Sequence, residues 1–161
     1  MAYGYGMSMH PEAADVGAIA LGSIAGVLQT AVLREYVDAP MAQAFLKAKA
    51  SNSSTAPPFL MKQLGNFGSP SFLLGVGGGI VGGVLGAEGK LRGRLIKNEA
   101  VADGLLTYGV SAGTSGVASG IFPQSTWKAA VASDPNNPIG FSGGVVRRQG
   151  VAAPQGGITS Y

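Results

Sequence analysis

Seven of the 17 residues in SFLLGVGGGIVGGVLGA (71–87) are glycine, and none is charged. Ser69 and Pro70 ahead of it supply an N-cap and a first-turn residue, so the segment begins as a helix begins. Yet each glycine costs a water-exposed helix about 1 kcal/mol relative to alanine. Such a helix needs close neighbours. Gly75, Gly79, Gly83 and Ala87 recur every four residues, with Gly78, Gly82 and Gly86 as a second row beside them. Four-residue spacing gathers the missing side chains on one face, where another backbone can approach closely enough for dispersion and Cα–H contacts.

Two further charge-free stretches repeat the device: VGAIALGSIAGVLQTAVL (16–33) has 18 residues and GLLTYGVSAGTSGVASGIF (104–122) has 19. As helix, 18 residues reach about 27 Å, close to the thickness of a bilayer core. The first stretch carries Ala14, Ala18, Gly22, Gly26 and Thr30 at four-residue spacing; the last carries Ala112, Gly116 and Gly120, with Gly109 and Gly113 beside them, and stops at Pro123. It also carries a hydroxyl row, Thr107, Ser111, Ser115 and Ser119. Such a row either bonds its own preceding carbonyls or lines a polar path.

Composition narrows the class. Of 161 residues only 12% are charged, where a soluble domain carries about a quarter, and the 46% hydrophobic content is too high for a disordered chain. The expected fold is all-α: two to three apolar, glycine-striped helices forming a membrane-type helical hairpin or bundle, with irregular Gly/Pro-rich termini. The boundaries follow: an N-terminal arm at 1–15, a helical domain at 16–122 with a polar connection at 34–69 and a basic one at 88–103, and an extended C-terminal arm at 123–161. Within the polar connection SNSSTAPP reads as loop, whereas DAPMAQAFLKAKA reads as a short amphipathic helix capped by Asp38, with Pro40 in its first turn and Met41, Phe45 and Leu46 on one face. Trp127 and Tyr108 suit a membrane interface or simple packing.

Net charge is +3, and no Lys or Arg precedes Arg34, so no cleaved leader is expected. Three spans with the N-terminus outside put seven basic residues inside and four outside, a weak preference that sets the two basic connections on opposite sides.

Catalytic constellations are thin. With no cysteine there is no thiolate or disulfide, His10 is the single histidine, and all eight acids lie outside the apolar stretches. No catalytic residue, metal ligand or cofactor is expected. Gly77, Gly79 and Gly82 match the dinucleotide-binding pattern G-x-G-x-x-G, with Glu99 downstream. A run this rich in glycine produces that match readily, and nucleotide binding stays a further alternative.

Apolar helices with small-residue faces around the basic connection LRGRLIK make residues 16–122 resemble, in architecture, the small hydrophobic virion proteins of archaeal and bacterial viruses, such as the hairpin coat proteins of spindle-shaped viruses or proteins of internal viral membranes. The resemblance implies a structural protein of a membrane or virion, with itself, lipid, other structural proteins and nucleic-acid phosphates as partners. Arg92, Arg94, Lys97, Arg147 and Arg148 are the residues expected to meet phosphates. A small membrane subunit of a channel, transporter or bioenergetic complex is the alternative from another class.

Overall fold

A computed structural model describes residues 13–134, and among them the chain is helical, without strands. Six α-helices follow one another: α1 (Ala13–Leu33), α2 (Ala39–Ser51), α3 (Phe59–Leu64), α4 (Pro70–Leu91), α5 (Glu99–Ile121) and α6 (Ser125–Ala132). The all-α expectation holds, and the three long helices cover the three charge-free stretches. Ser69 caps α4 as expected, its hydroxyl accepting from the Phe72 N–H at 3.3 Å. Asn98 does the same for α5 through the Val101 N–H at 3.2 Å.

The polar connection departs from its reading as loop. α1 runs on through a π-helical turn, Arg34–Asp38, directly into α2. Pro40 explains the wide turn, because its ring crowds the carbonyl four residues back and it has no N–H to donate; widening the helix just before it relieves both problems. Asp38 therefore does not cap α2: its backbone is helical and its side chain makes no capping bond there. The face that α2 buries is Ala42 and Phe45, with Leu46 packed beside them, while Met41 is exposed. Only the stretch from Asn52 to Pro58, which includes most of SNSSTAPP, is free of helix.

The C-terminal arm is also corrected at its start. Residues 125–132 form α6, whose Trp127, Ala130 and Val131 join Ala42, Phe45 and Met61 in a small cluster at one end of the long helices. Trp127 is 1% exposed and donates its indole N–H to the Gly65 carbonyl at 3.3 Å, so it packs rather than marking an interface. Gly65 ends α3 with φ +56°, a backbone that side chains rarely adopt.

Candidate functional site: a small-residue interior under an aliphatic exterior

α5 is the middle helix. α4 lies antiparallel along one side of it: Gly75 faces Gly116, Gly79 faces Gly113, and Gly86 faces Leu106 and Ala102. α1 lies parallel along another side, Gly22 against Gly104 and Thr107, and Gly26 against Ser111 and Ala112. These approaches are backbone to backbone. A Cβ added at Gly79 would stand 2.6 Å from the Gly113 Cα, one at Gly75 2.6 Å from the Gly116 Cα, and one at Gly26 2.6 Å from the Ala112 nitrogen. No side chain fits at those distances.

Each glycine row of α4 is used only in part. Gly75 and Gly79 from one row and Gly82 and Gly86 from the other press against α5, whereas a Cβ at Gly83 would meet nothing within 4 Å. The helix explains the switch. A row at every fourth residue drifts off a face that turns with a 3.6-residue period, and the contact line steps across to the neighbouring row to stay on its partner. The resulting spacing, 4-3-4, matches the seven-residue interval between Ala102, Gly109 and Gly116 on α5. Gly78 faces the Tyr108 hydroxyl, a Cβ at Gly113 would lie at an ordinary 3.7 Å from the Gly79 Cα, and Gly120 sits beneath the rings of Phe67 and Phe72.

The hydroxyl row belongs to this interior. Thr107 and Ser111 lie against α1, and Thr107 and Ser119 donate to carbonyls of their own helix at 2.8 and 2.7 Å. A further polar tie joins all three long helices. The Tyr108 hydroxyl donates to the Gln29 side-chain carbonyl, and the Gln29 amide donates to the Leu74 carbonyl at 3.1 Å. Nothing in the sequence singles out Gln29, because a single amide does not interrupt a charge-free stretch.

The exterior is the reverse of the interior. Val16, Leu21, Ile24, Val27, Leu28 and Val32 of α1, with Leu74, Ile80, Val81 and Val84 of α4, are exposed, Leu21 by 70%. α5 adds Val110, Val117 and Ile121. Among the described residues two helices are long and apolar enough to cross a membrane, Ala14–Ser51 and Pro70–Leu91. α5 is not among them; Gly109, Gly116 and Gly120 are buried in the bundle, while Thr114 is exposed.

Polar residues gather at the two ends. At one end Arg34 and Asp38 serve opposite helix termini: the Arg34 guanidinium donates to the Phe122 carbonyl just beyond α5 at 3.1 Å, and the Asp38 carboxylate accepts from Ser71 at the start of α4. Both placements suit the helix dipoles. Asp38 is 2% exposed, and its carboxylate is satisfied by Ser71. At the far end Lys90 and Asp103 pair at 2.7 Å. Here Arg92, Arg94 and Lys97 are exposed on the turn between α4 and α5, and Gly93 bends it with φ +57°.

One alternative meets a contrary geometry. Residues 77–82 lie mid-helix in α4, with their backbone N–H groups inside the helical ladder, so they are not a phosphate-binding turn after a strand. His10, Arg147 and Arg148 lie outside the described residues. Comparison with known protein families, curated proteins and solved structures finds no match to this chain.

Proposed function

We propose that this chain is a non-enzymatic structural protein whose three long helices form a hairpin (α4 and α5) with α1 alongside, lodged in an apolar layer, a membrane or the lipid of a virion, where copies assemble with one another. The observation that carries this reading is the inverted packing: glycine, alanine and serine inside, bulky aliphatic side chains outside. Water favours the opposite arrangement, whereas in lipid tight backbone contact holds helices together and aliphatic side chains face the solvent. The charge-free lengths fit that layer, and the polar ends bracket it.

The resemblance to small virion coat and membrane proteins supports the same reading, as do the aliphatic faces that a neighbouring copy or another structural protein can cover. A transport path along the Ser/Thr row is less well supported, because Thr107 and Ser111 lie against α1. The test is sedimentation of the purified protein with and without detergent, then negative-stain microscopy of the detergent-free fraction. Regular particles, tubes or sheets are expected. A discrete species soluble only in detergent points to the membrane-subunit alternative, and a monodisperse species in plain buffer defeats the proposal.

A further inference from the structure

The turn between α4 and α5 holds exposed cations beside exposed leucines. Its shape depends on Glu88, whose carboxylate accepts the backbone N–H groups of Arg94 at 3.0 Å and Leu95 at 3.2 Å, while Gly93 provides the left-handed bend. That use of Glu88 matters for the charge balance. Of the nearby acids, Glu88 is turned onto the backbone, Asp103 is taken by Lys90, and Glu99 sits in the first turn of α5. Among the described residues Arg92, Arg94 and Lys97 consequently have no carboxylate partner. Ile96 turns inward against Gly89, but Leu91 and Leu95 remain 83% and 73% exposed, continuous with the aliphatic exterior of α4.

We infer that this turn is an anionic-lipid site, with Arg92, Arg94 and Lys97 gripping headgroup phosphates while Leu91 and Leu95 enter the acyl boundary. The inference rests on the membrane reading above. Charge and position select this occupant. Arg92, Arg94 and Lys97 follow the charge-free segment, just past the end of α4, where the chain leaves the apolar layer, and each basic residue near an anionic leaflet attracts it appreciably. A nucleic-acid surface explains the cations but gives the two leucines no role.

Because the chain has no cysteine, Leu95→Cys creates a unique labelling site. The full chain carrying bimane there is reconstituted into phosphatidylcholine vesicles with about 30 mol % phosphatidylglycerol, brominated on one lipid or the other. Brominated phosphatidylglycerol is expected to quench about threefold more strongly per mole, and the R92Q/R94Q/K97Q variant should quench equally with both. Unaltered helix content in far-ultraviolet circular dichroism certifies that the variant is folded; should it not fold, molar salt applied to the parent protein must abolish the preference. Equal quenching in the parent protein overturns this inference alone. Quenching relieved by added duplex DNA overturns it in favour of nucleic acid. A chain that never enters the vesicle fraction overturns the membrane reading, and this inference with it.

Discussion

Asp38 and Ser71 are 33 residues apart in sequence, yet Ser71 bonds both oxygens of the Asp38 carboxylate, one through its backbone N–H at 3.1 Å and the other through its hydroxyl. The pair joins the end of the long first helix to the start of α4. Asp38→Asn puts an amide where the Ser71 hydroxyl and N–H now both find acceptors, and should cost about 1–3 kcal/mol. Thermal unfolding in detergent should show a lower midpoint for Asp38→Asn. An unchanged midpoint would contradict the pairing.

Ser71→Ala removes the hydroxyl but leaves the backbone donor. A buried acceptor deprived of one donor costs about 1–3 kcal/mol. The variant should unfold at a lower temperature by a corresponding amount, with the helix content of the folded state unchanged in circular dichroism. A neutral result would mean that the hydroxyl is not a working partner of Asp38.

Gly79 and Gly83 stand in the same sequence row but differ in surroundings. Gly79→Leu forces a side chain into the Gly113 backbone and should cost about 3 kcal/mol or more, separating α4 from α5. Gly83→Leu meets open space and should leave the fold intact. Crosslinking between cysteines placed at the outer ends of α4 and α5 reads the difference directly. Equal behaviour of the two variants would mean that α4 meets α5 through another face.

Tyr108→Phe and Gln29→Leu each break the tie among the three long helices, at about 1 kcal/mol apiece. Since both remove the same hydrogen bond, the double variant should cost less than the two singles combined. Additive losses would indicate that the residues act independently.

Trp127 is the only tryptophan of the chain, so its fluorescence reports on the cluster at the end of the long helices. Its emission should be blue-shifted in the native state. Trp127→Ala should cost about 3–5 kcal/mol through the cavity it leaves, loosening α2, α3 and α6 before the glycine contacts of α4 and α5. Loss of all helix signal in one step would show the two regions to be a single cooperative unit.

The long helices were legible in the sequence because absence of charge over 17 to 19 residues and a capping Ser69 are local signals. The glycine rows were legible as small faces, but the choice between Gly83 and Gly82 was not, because it depends on how the helix turns against a partner. The run from α1 into α2 is hidden for a similar reason: Asp38 and Pro40 are good signs of a new helix, and the same proline is compatible with a π turn that lets the old one continue. The capping of α5 by Arg34 and of α4 by Asp38 is long-range and required knowing which ends lie together. That Glu88 holds the backbone of the α4–α5 turn depends on the bend at Gly93, which charge pattern alone does not reveal.

The glycine seam between α4 and α5 also bears on the order of events in the protein's biogenesis. Closing it in water hides little aliphatic surface, so the hydrophobic effect returns little for bringing the two segments together. Their contact becomes favourable where hydrocarbon is the solvent and intimate backbone apposition is the main source of adhesion. On the membrane reading proposed above, transfer of each segment out of water precedes its pairing, and closure of the seam is a late step of assembly.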